Sequence, residues 1–255
     1  MKTLFFLFLS GLAALGAGSP AGSTRYTPAC AGQPAQWCEM MWTTNDGSGR
    51  IAGCVDLSGG GRPWIGGGTT ANPLWSNNAA NGRPCARFSS TSSQVFTNTT
   101  LDITLQVANM YGVYVGKAAS STANYEAWTA QGTANNRQFG CDAASAHIST
   151  TDGNQISATT AVDMSTKFTQ VDIVLVFQGG ITNGCVQSVF TNGVVAPQAD
   201  LNTMTQFVSW GTYGRVLTFY GDQLTCGGCL WGYLPPTSQR VLVSEYWHSQ
   251  YKCWQ

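Results

Sequence analysis

The chain has 255 residues, with 12 Lys+Arg balanced by 12 Asp+Glu, a formal net charge of zero and only 9% charged residues. Phosphate backbones and anionic lipid surfaces are held by cations concentrated on one face, so this composition argues against a nucleic-acid partner and against a membrane-surface role. A surface rich in Gly, Ser, Thr and Asn with 11% aromatics suits a partner that is itself neutral and hydroxylated, which points to polysaccharide; it is equally the ordinary composition of exported β proteins.

The opening stretch MKTLFFLFLSGLAALGAGSPAGS has one lysine, an apolar run from Leu4 to Leu9 and a small-residue tail. This is the layout of a secretory signal, expected over residues 1–18 with cleavage between 16 and 22. It is too short and too glycine-rich for a membrane span. Residues 19–255 are expected to form one domain exported from the cell.

Nine cysteines follow, at 30, 38, 54, 85, 141, 185, 226, 229 and 253. In an oxidising compartment they read as bridges, because two histidines cannot supply mixed Cys/His metal sites. No metal and no other cofactor is expected. Nine is odd, so at most four bridges form and one thiol is left over; spacing does not give the pairing. The Gly/Asn/Pro-rich stretch of residues 56–84 reads as a long surface excursion tied by Cys54 and Cys85. Within it Trp64 and Trp75 either anchor the loop or face a ligand, with anchoring favoured. Its glycines are not a phosphate cradle, since no Gly-Lys-Ser/Thr follows.

Strands dominate beyond residue 95. Asn98-Thr99-Thr100 is a glycosylation sequon placed just before a predicted strand, Leu101 to Val107, in which apolar and polar residues alternate. Tyr111 to Val115 continues in the same character. Ser121 or Thr122 is positioned to cap a short helix over residues 123–131, and Asp200 to cap another over 201–208. VDIVLVF, Val171 to Phe177, is almost wholly apolar and predicts a central strand covered on both faces. CVQSVF and VVAP flank Asn192-Gly193, the strongest short hairpin signal. A further strand is expected within residues 214–222. Cys226-Gly-Gly-Cys229 reads as turn and loop, so a structural clasp is favoured over a redox pair, which needs a helix start after the first thiol. The fold expected is all-β: an antiparallel two-sheet β-sandwich or jelly roll braced by disulfides.

The last fifteen residues, VLVSEYWHSQYKCWQ, hold one of the two histidines together with Glu245, Lys252, Tyr246, Tyr251, Trp247 and Trp254. Read as a terminal strand, they split by parity. One face carries Glu245, Trp247 and Tyr251. The other carries Tyr246, His248, Gln250, Lys252 and Trp254. If the first face lines a groove, Glu245 held against apolar neighbours is a candidate glycosidase acid, with Trp247 and Tyr251 stacking on sugars. It would need a second carboxylate about 5–9.5 Å away, from Glu39, Asp102, Glu126 or Asp172. If the second face does, Tyr246 and His248 are the proton-handling pair, supported by Lys252 and Gln250, as in polysaccharide β-elimination. At the level of fold this is analogous to jelly-roll polysaccharide lyases. The chain departs from their pattern: it lacks their arginine-containing early motif and has Gln155-Ile156-Ser157 where they have Gln-Ile-His. An alternating terminal strand also carries exposed Tyr, His, Gln and Lys with no task at all, and His147 reads as a loop residue rather than a partner for His248.

No G-x-S-x-G elbow, H-E-x-x-H pair or calcium-loop spacing is present. The sequence therefore points to a secreted protein that engages extracellular or cell-wall polysaccharide, with cleavage by lyase or hydrolase chemistry left open. A non-catalytic glycan-binding or surface protein and a secreted effector stand as the alternatives.

Overall fold

The structure, a computed structural model, describes residues 27–61, 63–68, 70–98, 109–118, 124–131, 136–142, 146–150, 155–157, 167–177, 185–191, 194–195 and 217–253. After a 3-10 turn at Pro28–Ala31, the strands in chain order are β1 (Gln36–Glu39), β2 (Thr43–Asn45), β3 (Ile51–Cys54), β4 (Trp64–Gly66), β5 (Leu74–Ala80), β6 (Arg83–Phe88), β7 (Val95–Asn98), β8 (Asn109–Ala118) and β9 (Asn124–Gln131). They continue with β10 (Asn136–Asp142), β11 (Ala146–Thr150), β12 (Gln155–Ser157), β13 (Thr169–Phe177), β14 (Cys185–Thr191), β15 (Val194–Val195), β16 (Leu217–Gly221) and β17 (Gln223–Trp231). One α-helix, α1 (Thr237–Tyr251), closes the described chain.

The strands form two antiparallel sheets, as the alternating patterns predict. The first runs β15-β14-β13-β8-β17-β6-β5, and β1 joins it by pairing the second half of β17 while β6 pairs the first half. The second runs β12-β11-β10-β9-β16-β7-β4-β3-β2. Phe88 of the first sheet meets Phe96 of the second edge to face, with ring centroids 5.3 Å apart, inside the sandwich. At one edge an Arg50–Leu74 bridge joins β5 to the β2–β3 hairpin.

β8 and β13 sit centrally because both of their faces are covered. Along β8, Tyr111, Val113 and Val115 point toward α1, and Tyr114 points the other way, where its hydroxyl donates to Gln223 Oε1 at 2.6 Å. A Cβ on Gly116 would overlap the Tyr114 ring, so glycine there lets the ring lie along the strand. The second hydrophobic layer is α1 packed on the outer face of the first sheet, with Val243, Trp247 and Tyr251 set against Tyr111, Val113, Cys229 and Trp231. The domain thus has three layers, sheet, sheet and helix.

Several expectations are corrected. Residues 237–251 are helical, not a terminal strand. Pro235 and Pro236 end the preceding loop, and Val243, Trp247, Gln250 and Tyr251 are buried at a spacing of four, three and one, the period of a helix face. Lys252 terminates it in the left-handed conformation, φ 51°, with its N–H bonded to His248 O at 2.8 Å. The predicted helix over residues 123–131 is β9, because pairing to β10 and β16 on its two sides overrides local propensity. Cys226-Gly-Gly-Cys229 is not a loop but the middle of β17, a strand buried along nearly its whole length. Residues 56–84 are not one excursion, since β4, β5 and the start of β6 lie within them.

The cysteine pairing also differs from the expected tie. Cys38 bridges to Cys54, linking β1 in one sheet to β3 in the other, and Cys85 bridges to Cys226 across neighbouring strands β6 and β17. Cys30, Cys229 and Cys253 are free thiols. The strands expected on either side of Asn192-Gly193 pair as β14 and β15, with Thr191 opposite Val194, and the two residues between them lie outside the described residues. The predicted signal, the Leu101–Val107 strand and the 201–208 helix lie outside the described residues.

Candidate functional site

Helical geometry rearranges the C-terminal cluster completely. Residues three and four apart now share a face, so Glu245, His248 and Lys252 lie along one side of α1, where parity in a strand had separated Glu245 from His248. Glu245 and Lys252 are exposed there. Burial, then Lys252, pushes the His248 imidazole below its ordinary pKa, with Glu245 opposing.

The other members point inward and are engaged with the protein. Tyr246 donates its hydroxyl to Glu39 Oε1 at 2.5 Å, and Trp37 Nε1 donates to the same oxygen at 2.8 Å. Burial first, and then the charge of Glu39, hold the Tyr246 phenol far above its usual range, which leaves it no capacity to act as a base. Trp247 is 0% exposed; it stacks on Tyr251 with centroids 5.7 Å apart and donates to Cys229 Sγ at 3.2 Å. Tyr251 donates to Cys226 O at 3.1 Å. Gln250 is buried, and its carbonyl accepts from Asn81 Nδ2 and Arg83 Nε, both at 3.0 Å. Trp247 and Tyr251 therefore have no free face for a sugar ring. Trp254 lies outside the described residues.

Two of the four candidate second carboxylates are sealed beneath the helix. Asp172 accepts from Gln170 Nε2 at 2.9 Å and from Tyr111 Oη at 3.1 Å, and burial raises it to about 6. Glu39 is raised as well, by burial first, against the pull of its Tyr246 and Trp37 donors and of Arg83. Its second oxygen, Oε2, is buried without a hydrogen-bond partner. Register places Gln170, Val115, Gly227 and Glu39 in one row across four strands and Asp172, Val113, Cys229 and Trp37 in the next. Three strand spacings of about 4.8 Å, with the two-residue step of about 6.8 Å between rows, put the two acid backbones roughly 16 Å apart, beyond the range for either glycosidase geometry. Glu126 belongs to β9 and His147 to β11, both in the sheet remote from α1, and Asp102 lies outside the described residues.

Cys226 and Cys229 do not form a dithiol. Cys226 is the residue at which β17 slips register against β8, and its sulfur is committed to Cys85. Burial holds the Cys229 thiol well above its usual range, where it has little nucleophilic thiolate.

An exposed aromatic and aliphatic patch lies at the β2–β3–β4 end of the second sheet. Where the chain crosses from β1 to β2, Trp42 N–H caps Glu39 O at 2.9 Å and Trp42 O accepts from Val55 N–H at 2.9 Å, so Trp42 and Val55 face each other across the hairpin. Thr44 stands opposite Gly53, and Gly53 opposite Ile65. Alternation puts Trp42, Thr44, Gly53, Val55 and Ile65 on the outward face and Cys54 and Trp64 inward. Trp64 is buried, the anchoring role expected for it. Trp42 is 48% exposed, Val55 47% and Ile65 55%. The indole N–H of Trp42 has no partner among the described residues. Gly53 itself is buried between its neighbouring strands, and the Thr44 hydroxyl donates to its carbonyl at 3.5 Å, so the exposed face is an indole with two aliphatic side chains beside it. A Cβ on Gly53 would come within 2.6 Å of Trp64 O. The Cys38–Cys54 bridge fixes the base of this platform. Sequence reading passed over it because Trp42 sits in a turn with no periodic neighbours.

No known protein family matches the chain, and no curated protein matches it. Solved structures do. The binding domain of Paraclostridial Mosquitocidal Protein 1 superposes with a TM-score of 0.55 at 7% identity, over 85% of this chain and 52% of that one. The binding domain of Botulinum Neurotoxin DC in complex with SialylT superposes with a TM-score of 0.55 at 8% identity, over 87% and 53%. What this likeness shows is the fold. The chain spans about half the length of these proteins, and the β-sandwich is common to them.

Proposed function

We propose that this protein is an exported, disulfide-braced β-sandwich that binds extracellular or cell-wall polysaccharide without cleaving it. The observation that carries the reading is the half-exposed Trp42 with Val55 and Ile65 exposed on the same face: a flat apolar ring flanked by aliphatic side chains and carrying an unused indole donor matches the apolar face and hydroxyl rim of a pyranose. Support comes from the neutral, amide- and hydroxyl-rich composition and from a fold similar to domains whose own names describe binding. Non-catalytic binding is favoured over lyase or hydrolase chemistry because Tyr246, Trp247, Gln250 and Tyr251 are engaged beneath α1 and the two buried acids are too far apart to act together. Export rests on the signal-like opening and on two disulfides among the described residues, and Asn98 is the expected glycan attachment point.

The test is incubation with a panel of insoluble and soluble polysaccharides, following depletion of the protein together with reducing ends and unsaturated product. Depletion without product is expected. Trp42→Ala should weaken binding at least about tenfold, the loss of some 1.4 kcal/mol typical of a central aromatic contact. Undiminished binding by that variant, or accumulation of either product, refutes the reading.

A further inference from the structure

We propose that Arg83 forms a carboxylate-recognising subsite at the edge of the Trp42 platform, so that the glycan bound is an acidic one carrying uronate residues. This rests on the binding reading above and narrows its ligand class. Arg83 begins β6 and reaches to the place where β1 passes into β2. Its Nε is fixed by Gln250 O at 3.0 Å, and the guanidinium carbon stands 6.0 Å from the centre of the Tyr251 ring. Its Nη1 meets the thioether of Met41 at 3.2 Å, on the exposed side of the group. Met41 adjoins Trp42 and is itself exposed.

A guanidinium held at one end and over an aromatic face is pre-organised for planar, two-point recognition of a carboxylate. Arg83 has no ion pair among the described residues, and a thioether sulfur is a weak acceptor that leaves the positive charge uncompensated. Glu39 is the carboxyl group whose field reaches it. That group is sealed beneath Tyr246 and Trp37, and burial favours its neutral form. Asp56, which follows Val55, turns into its own loop to accept from Ser58 N–H at 2.9 Å. Asp46 lies toward the far end of the hairpin, bound to Ser48 and Asn72. The platform is therefore electrically asymmetric: cationic where it meets Met41 and anionic at its tip. A sugar stacked on Trp42 would direct an acidic substituent toward Arg83.

The experiment compares binding of an oligogalacturonate and of a neutral oligosaccharide of equal length by titration calorimetry at low and high salt. Wild-type protein should favour the oligogalacturonate by about tenfold at low salt, with the preference shrinking as salt is added. Arg83→Gln should bind both equally. Met41→Glu, which sets a carboxylate beside the guanidinium and leaves its anchors intact, should do the same without a change in melting temperature; it covers the case in which losing one cap of α1 unsettles Arg83→Gln. Retention of the acidic preference by Met41→Glu, or its absence in wild type that still binds the neutral sugar, overturns the subsite and leaves the binding reading standing. Failure of wild type to bind either sugar overturns both.

Discussion

Asp172 gives the most quantitative check on the helix-capped layer. Its carboxyl is fully enclosed by Tyr111, Gln170 and Ser244, and burial lifts its pKa from 3.8 to about 6. An acid whose folded pKa is raised binds its proton more tightly when folded, so its contribution to stability is complete below pH 3.8 and declines as pH rises to about 6. A shift near two units corresponds to about 3 kcal/mol lost across that window. Glu39 adds a loss of the same sign. Asp46, held near 2 by hydrogen bonds from Ser48 and Asn72, contributes oppositely, but below pH 3.8, outside the window. In Asp172→Asn the side chain stays neutral, and Tyr111 Oη, which also lies 3.3 Å from Arg240 O, can turn to accept from the new amide. Allowing about 1 kcal/mol for the exchanged hydrogen bond, the variant should be about 2 kcal/mol more stable than wild type at pH 7 and no more stable at pH 4. Urea unfolding at pH 4, 5, 6 and 7 measures this, with an unchanged m-value showing that the unfolded state is comparable. A variant with the wild-type slope would refute the enclosure of this carboxyl; His248, whose lowered pKa makes stability rise with pH in this window, contributes equally to both proteins and leaves their difference unchanged.

Other consequences are equally direct. Trp247→Ala should cost about 3–5 kcal/mol in chemical unfolding while leaving glycan affinity at subunfolding temperatures unchanged, since the ring fills the core and touches no ligand; a selective loss of binding in a stable variant would restore it to the site. Replacing Cys85 and Cys226 by alanine should cost about 5 kcal/mol, the closure entropy expected for a loop of 141 residues, against about 3 kcal/mol for the Cys38–Cys54 pair, 16 residues apart. Equal losses would contradict the pairing.

The sandwich was legible in the chain because its strands announce themselves by alternation or by apolar runs, as β8 and β13 do, and because Asn192-Gly193 marks a hairpin. The helix was not. Val241, Val243, Tyr246 and Trp247 are β-branched or aromatic, and their side chains satisfy a period of two over the first few residues as well as a period of 3.6 over fifteen. The deciding signals were Pro235-Pro236 before the segment and the four-residue step from Val243 to Trp247 to Tyr251. β9 shows the converse: Ala, Glu and Gln favour a helix locally, and sheet neighbours from distant parts of the chain impose the strand. Glu39 is one of four carboxylates the sequence offers, and nothing local singles it out, since its significance comes from Tyr246, 207 residues away. Trp42 was invisible for the reason that makes it a candidate, its isolation in a turn.

The cross-strand bridge of β17 carries a cost in assembly. Cys54 and Cys85 are separated by about 31 residues, so their encounter in an unfolded chain is favoured over that of Cys85 with Cys226 by about 1.3 kcal/mol of loop entropy. Premature oxidation therefore feeds a scrambled isomer. Reaching the correct one requires that β6 and β17 align before their thiols are consumed, or that an exchange catalyst undo the error, which makes the yield of correctly bridged protein more sensitive to the redox conditions of folding than final stability would suggest.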